Sequence, residues 1–364
     1  MPTVTLSGYY GYGNAGDEAV LAGLVRALHT VRPPESLEIV ALSGRPAETE
    51  AAHGIRAVDR YRIPALLRAL SKTDLLLSGG GSLLQDVTSA HSVFYYLGVV
   101  RLAQMLGKKT MFVAQGIGPL VRPRTRKLVA GVARRLEAIT VRDEASAALL
   151  REIGVTKPPI EVTADPALLL APVNPPQPWA ASRIVAALRP WHGEGERIAE
   201  ATARAICVAV PAARSMLLPM QPGSDGTVME HFAHILHQTG GGRVGRLSEP
   251  TRPQSLLVPL EPLVEALAAC DMVIGMRLHA LILAAACAVP SVALSYDPKV
   301  TAFMAQSGQS DAVIELPTEL PMLTETLRRV WETRSARSES LRARLPSLRA
   351  AALRNAEIAV SLLP

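Results

Sequence analysis

A chain of 364 residues exceeds what one hydrophobic core usually supports, about 250–300 residues, so two domains are expected. Hydrophobic residues make up 49% and aromatics only 4%, which excludes a disordered chain and suits many short helices packed on sheets. The formal net charge of +6 favours anionic partners such as phosphorylated small molecules, a diphosphate-linked lipid or a membrane surface. No zinc-finger, RRM or helix-turn-helix pattern accompanies that charge, so nucleic acid is not an expected partner.

Short apolar runs at residues 4–8, 37–42, 74–78, 110–114, 138–142 and 160–163 read as strands. Amphipathic stretches at 18–30, 93–106, 124–136 and 144–153 read as the helices between them. This alternation predicts a doubly wound parallel sheet over residues 1–171. The proline-rich stretch 172–180 predicts a linker. Strands then follow at 184–188, 215–218, 272–274 and 291–294, with helices at 197–209, 227–239, 262–269 and 278–288, giving a second lobe over 181–318. Residues 319–364 read as polar C-terminal helices with a break at Pro346. The fold class is therefore α/β, two Rossmann-like doubly wound lobes with a cleft between them, and ligands are expected at the carboxyl ends of the strands.

Met1-Pro2 leads into a strand with no basic region before an apolar one, so no signal peptide is expected. The longest apolar run, residues 280–289, is about half the length that spans a bilayer. Cys207, Cys270 and Cys287 have no CxxC spacing and read as buried free thiols, which together predicts a cytoplasmic protein. The arginines between Arg328 and Arg354 alternate with Glu325, Glu332, Glu339 and Glu357, the pattern of a solvated helix face; peripheral membrane contact is the alternative.

Three glycine loops follow strands. Gly11, Gly13 and Gly16 satisfy the GxGxxG spacing of a dinucleotide site, but the acidic residue expected after the second strand is missing, where Ser43-Gly44-Arg45 stand instead. Asp17 and Glu18 read as caps for the following helix or as polar groups facing a ligand. The second loop carries Gly79, Gly80, Gly81 and Ser82, with Gln85-Asp86 just beyond, and the third carries Gln115-Gly116-Ile117-Gly118-Pro119. Arg142 ends the fifth of these strands, where its fork can clamp a carboxylate or phosphate, or pair with Asp143 or Glu144. Asp165 reads as a turn or interdomain residue. In the second lobe, Arg277-Leu278-His279 stands at a strand–helix junction, an anion-holding arginine beside a side chain that exchanges protons near neutral pH. Lys299 lies at the next such junction, within Ser295-Tyr296-Asp297-Pro298-Lys299. His231, His234 and His237 share helical spacing without carboxylates or cysteines to complete a metal site.

The motifs GYYGYGNAGDE (8–18), SGGGSLLQD (78–86), QGIGP (115–119), VRD (141–143), GMRLH (275–279) and SYDPK (295–299), in that order, resemble the polysaccharide pyruvyl transferase family, most of all its CsaB branch. The resemblance covers roughly residues 3–307. It implies a GT-B-like fold, phosphoenolpyruvate as donor and no metal or redox cofactor. The implied acceptor is N-acetylmannosamine of a secondary cell-wall polysaccharide on a lipid diphosphate carrier, met at the inner face of the membrane. The implied product is a 4,6-linked pyruvate ketal that S-layer homology domains recognise. Carried over by motif, Arg142, Arg277, His279 and Lys299 belong to donor binding or catalysis, and Asn14 and Asp17 to the first loop. His279 is then the general acid and Asp17 the nominated base, with Gly80, Gly81, Ser82 and Gln115 lining the substrate. The rival reading is a GT-B glycosyltransferase using a nucleotide sugar, although the paired glutamates of many such enzymes are not evident. A non-enzymatic anion-binding protein is the third.

Overall fold

The structure, a computed structural model, describes residues 1–87, 90–172, 182–239, 244–246, 257 and 259–364. The expected linker at 172–180 lies outside these residues except for Pro172. The chain divides into one unit of Met1–Tyr12, Asp17–Leu169 and Arg349–Pro364, and a second of Gly13–Gly16 and Leu170–Leu348.

Unit 1 holds strands β1 (Thr3–Tyr10), β2 (Glu38–Ser43), β3 (Arg56–Asp59), β4 (Leu75–Gly79), β5 (Lys109–Gln115), β6 (Ala138–Val141) and β7 (Ile160–Val162). Helices α1 (Ala15–Val31), α2 (Pro46–His53), α3 (Ile63–Lys72), α4 (Ala90–Met105), α5 (Pro123–Ala133) and α6 (Glu144–Glu152) connect them. The sheet order is β3-β2-β1-β4-β5-β6-β7, and all pairings are parallel. Helices cover both faces, which is why β2 and β4 carry almost no exposed residue. On one face Leu6 and Leu77 pack with Leu21, Leu24 and Leu28 of α1; on the other Leu76, Phe112 and Ile139 pack with Val93, Val100 and Val129. The order reverses between β1 and β4, whose Ser7 and Ser78 are paired in register. The first two glycine loops therefore leave the sheet side by side at its switch point, where a ligand crevice opens in such sheets.

Unit 2 repeats the plan with β8 (Arg183–Ala187), β9 (Arg214–Leu217), β10 (Val244–Arg246), β11 (Met272–Gly275), β12 (Ser291–Ser295) and β13 (Val313–Glu315). Its helices are α7 (Gly195–Ala209), α8 (Pro222–Gln238), α9 (Leu260–Ala268), α10 (Leu278–Ala286), α11 (Pro298–Gln306), α12 (Leu320–Glu332) and the first half of α13 (Arg334–Ser361). The order β10-β9-β8-β11-β12-β13 is again all parallel, with its reversal between β8 and β11. α10 is apolar around most of its circumference and nearly all of it is buried, the expected fate of such a helix.

The expected break at Pro346 does not occur, because α13 runs through it. A proline inside a helix removes one backbone hydrogen bond and costs about 3 kcal/mol. Burial of Leu341, Leu345 and Leu348 before and around it, and of Ala352, Ala356 and Ala359 beyond, offsets that cost. Asn355 adds a buried anchor in unit 1: its Oδ1 accepts from Thr140 Oγ1 at 2.6 Å and Thr163 Oγ1 at 2.8 Å. Of the three free cysteines only Cys270 is buried, and burial pushes its thiol up to about 12; Cys207 and Cys287 are partly exposed. Among the described residues no helix is long and apolar enough to cross a membrane.

Candidate functional site

In unit 1 the second and third glycine loops are fastened to each other by backbone. Gly116 N donates to Gly81 O at 2.9 Å and Gly118 N to Leu84 O at 2.8 Å. Gln115 is fully buried and its Nε2 donates to Gly81 O at 3.1 Å and Gly116 O at 3.0 Å. Asp86, also buried, accepts from the amides of Val121 at 2.7 Å and Arg122 at 3.0 Å. Burial raises the Asp86 pKa, but these two amides and the Thr125 hydroxyl outweigh it and hold the carboxyl below its ordinary value. Gly80 has φ +78°, and a side chain there would collide with Val20 of α1. The glycines thus allow this loop to lie directly on a helix and a neighbouring strand.

Arg142 is 6% exposed and follows β6. Its Nη1 donates to Asp165 Oδ2 at 2.9 Å and its Nη2 to Ser82 Oγ at 2.6 Å. The surface pair with Asp143 or Glu144 is not what holds it. Asp143 caps α6 by accepting from Ser146 N, and its nearest carboxylate oxygen is 4.0 Å from Arg142 Nε. Asp165, expected as a turn or interdomain residue, is the buried counter-ion, and its other oxygen accepts from Ala167 N at 3.0 Å in a turn. Glu18, expected as a helix cap, is buried instead and accepts from Gly11 N at 2.7 Å, with His53 Nε2 3.0 Å from its other oxygen. Asp17 stays half-buried in the first turn of α1, beside Gly81.

Sequence reasoning missed the surroundings of Asp17. Six of the seven tyrosines, Tyr9, Tyr10, Tyr12, Tyr61, Tyr95 and Tyr96, gather around the buried Arg60. Its guanidinium lies 5.6, 5.7, 4.5 and 5.1 Å from the ring centroids of Tyr12, Tyr61, Tyr95 and Tyr96, and its Nη1 donates to Gly8 O at 2.6 Å. Tyr9 and Tyr12 stack at 4.4 Å. Burial pushes the Tyr96 phenol up to about 12, and burial together with the Asp17 charge raises Tyr9 and Tyr10. The clustering of tyrosines at 9–12 and 95–96 in so aromatic-poor a chain was the available signal.

In unit 2 the basic side chains stand at helix beginnings. Arg277 is the N-cap of α10, His279 lies in its first turn, and Lys299 lies in the first turn of α11. The helices follow the adjacent strands β11 and β12. Arg277 Nε donates to Asp225 Oδ2 at 3.1 Å and Nη2 to Asp225 Oδ1, so a fully buried carboxylate from α8 grips one edge of the fork. Asp225 carried no motif and was missed. Lys299 Nζ pairs with Asp297 Oδ2 at 2.9 Å, and Asp297 Oδ1 accepts from the Lys299 amide. Residues 13–16 of the first loop group with this unit: Ala15 N donates to Met220 O at 2.7 Å, and Asn14 Oδ1 accepts from Gly16 N at 3.0 Å. A side chain at Gly16 would collide with the His279 imidazole, so the glycine keeps the backbone against that ring. At the end of β8, Arg189 Nη1 donates to Tyr296 Oη at 2.9 Å, a second unexpected contact.

The structure therefore brings Gly80, Gly81, Ser82, Gln115 and Arg142 together in unit 1, with Asp17 beside Gly81. It brings Asn14 and His279 together through Gly16 in unit 2, and sets Arg277 and Lys299 on neighbouring strands there. Cations at helix N-termini oppose the macrodipole, whereas an anion there satisfies both the dipole and the side chains. Among the described residues no cluster of three or more His, Cys, Asp or Glu side chains has the makings of a metal site.

Known structures share this fold at low identity. A Listeria monocytogenes protein described as a UDP-N-acetylglucosamine 2-epimerase is 14% identical with a TM-score of 0.65, over 99% of this chain and 95% of its own. The Neisseria meningitidis UDP-GlcNAc 2-epimerase, solved with UDP-GlcNAc, is 12% identical with a TM-score of 0.64, over 99% of this chain and 100% of its own. A Rickettsia africae glycosyltransferase is 11% identical with a TM-score of 0.62, over 99% and 98%. These neighbours establish a GT-B-like pair of Rossmann-like lobes and nothing about substrate. No curated protein matches the chain. The family model for polysaccharide pyruvyl transferases matches residues 14–298, a span that includes the Arg142, Arg277 and His279 positions and reaches Pro298, and the chain belongs to that family.

Proposed function

We propose that this pyruvyl transferase takes phosphoenolpyruvate as donor and forms a 4,6-pyruvate ketal on N-acetylmannosamine of a lipid-linked secondary cell-wall polysaccharide, as the CsaB branch does to support S-layer anchoring. It works in the cytoplasm, at the inner face of the membrane. The observation that carries the reading is the placement of Arg277, His279 and Lys299 at the beginnings of two helices that follow adjacent strands. Phosphoenolpyruvate brings a carboxylate and a phosphate to such a place, and two or three cations are needed to hold both.

Arg277 and Lys299 bind these two groups, while Arg142, buried and held by Asp165 and Ser82, fixes the second glycine loop. The pairing of Arg277 with Asp225 uses two of its five N–H donors and fixes the plane of the rest. His279 protonates the methylene carbon of the donor, which makes C2 electrophilic. A sugar hydroxyl adds to C2 and loses its proton to Asp17, inorganic phosphate departs, and the second hydroxyl closes the ketal as its proton passes to the now neutral His279. Ser82, Gln115, Gly80, Gly81 and Asn14 shape the loops that receive the substrates.

The test is incubation with phosphoenolpyruvate and an N-acetylmannosamine-bearing acceptor, followed by mass spectrometry and a phosphate assay. One added pyruvyl group per phosphate released is the expected result. Release of a nucleoside diphosphate from a nucleotide sugar, with no pyruvyl transfer, overturns the reading in favour of a glycosyltransferase. An His279→Ala variant with wild-type turnover removes the histidine from the chemistry.

A further inference from the structure

The charged C-terminal helices are poorly suited to a membrane. Arg328 pairs with Glu325, Arg337 with Asp311, and Arg354 with both Glu161 and Glu357. Their positive charge is largely spent within the protein. α3 is different. Its inner face buries Leu66, Ala69 and Leu70. Its outer face shows Ile63 at 65% exposure and Leu67 at 39%, an i, i+4 row, preceded by Tyr61 at 65%. The neighbouring row, one residue on, carries Arg68 and Lys72, and Arg62 caps the helix; all three cations are exposed. The helix contains no acidic residue, and among the described residues none of the three cations has an ion-pair partner.

We propose that the outer face of α3 is a docking surface for an anionic lipid bilayer, with Tyr61, Ile63 and Leu67 entering the headgroup–acyl boundary and Arg62, Arg68 and Lys72 meeting lipid phosphates. An apolar row flanked by unpaired cations on a short helix with a buried reverse side is the pattern of an interfacial helix. A protein partner of the same area would need acidic groups among apolar ones, whereas a phospholipid surface supplies both without further fit. The surface is also joined to the candidate site: Tyr12, in the first glycine loop, donates its hydroxyl to that of Tyr61 at 2.8 Å, and Arg60 packs against both rings. The inference deepens the reading of a lipid-linked acceptor and rests on it for its purpose, since docking through α3 brings the loop bearing Tyr12 to the membrane where that acceptor is anchored.

The experiment is co-sedimentation of the full chain with vesicles of mixed phosphatidylglycerol and phosphatidylcholine, and with pure phosphatidylcholine vesicles. Wild type sediments with the anionic vesicles, less so at high salt, and little with the neutral ones. Ile63→Asp combined with Leu67→Asp lowers the partition coefficient at least about tenfold, and Arg68→Glu with Lys72→Glu does the same. All four side chains are exposed, so these variants keep their folding, checked by circular dichroism. Arg328→Glu with Arg342→Glu on the C-terminal helices leaves binding within about twofold. The inference is overturned if wild type ignores anionic vesicles, if the α3 variants bind as wild type does, or if only the C-terminal pair loses binding. Pyruvyl transfer to a soluble N-acetylmannosaminide, measured in parallel, separates the two claims. Transfer without vesicle binding sinks the docking surface alone; α3-dependent vesicle binding without transfer sinks the donor–acceptor reading alone.

Discussion

The two units share one sheet topology and use its carboxyl edge in opposite ways. In unit 1 the edge is backbone and buried polar groups: glycine loops hydrogen-bonded to each other, Gln115 and Asp86 beneath them, and Arg142 locked to Asp165 and Ser82. In unit 2 the edge is side-chain charge at helix beginnings, with Arg277, His279 and Lys299 only partly buried. The first arrangement fixes shape; the second offers charge where the helix dipole already favours an anion. A cation in unit 1 should therefore matter mostly to folding, and a cation in unit 2 mostly to ligand.

The largest effect expected is at Arg142. Arg142→Met leaves Asp165 buried without its counter-ion, which costs about 3–5 kcal/mol in chemical denaturation. Replacing both, Arg142→Met with Asp165→Leu, recovers most of that loss. A single variant of wild-type stability breaks the contrast between the units. Next comes Gly80→Ala. Its positive φ and the collision with Val20 cost about 2–4 kcal/mol together, and Val20→Ala in the same chain relieves the steric part.

The alternation of apolar runs and amphipathic helices was enough to read both sheets, because strands buried on two faces leave continuous apolar segments. Three strands were not legible. β3 is only four residues with two polar ones, β13 is three residues long and lies at a sheet edge, and β10 is as short. Their place comes from pairing with a neighbour, which no local pattern encodes. α3 was also not read, although Leu66, Ala69 and Leu70 stand on one side of it; at ten residues it offers less than three turns of pattern. The motif residues Arg277, His279 and Lys299 were legible as strand–helix junctions. Their partners were not: Asp225 lies 52 residues from Arg277 in an unremarkable stretch, and Asp165, read as a turn or interdomain residue, lies 23 from the Arg142 it pairs with. Pro346 failed in the other direction, since a local rule lost to the packing of α13.

Acid should sharpen the comparison. Asp86 ties the two loops of unit 1, and its carboxyl titrates below the ordinary value in the fold. A carboxylate with a depressed folded pKa contributes stability that is fully present above its unfolded pKa. That contribution is lost as pH falls through the folded value, so it fades below about pH 4. Two charge-assisted amide bonds make it worth about 1.5–3 kcal/mol. Asp86→Asn should lower stability at neutral pH by that order and flatten the acid limb of the stability profile. A variant that keeps the wild-type acid limb shows that the loops do not depend on this carboxylate.

Lys299→Ala should be the gentlest on the fold and the clearest on ligand. The side chains of the Lys299–Asp297 pair are both partly exposed, at 29% and 23%, so the pair contributes less than about 1 kcal/mol. The cap of α11 also survives the substitution, because Asp297 accepts from the backbone amide of residue 299 rather than from the ammonium. Thermal unfolding should therefore stay close to wild type. If Lys299 holds the donor, the KM for phosphoenolpyruvate rises about tenfold or more while the acceptor KM stays put, and Lys299→Arg restores part of the loss. An Arg142 variant destabilises before it can be assayed cleanly for binding; Lys299→Ala loses binding without loss of stability. Unchanged KM at unchanged stability would remove Lys299 from the donor site and leave the anion-binding role of unit 2 to Arg277 and His279.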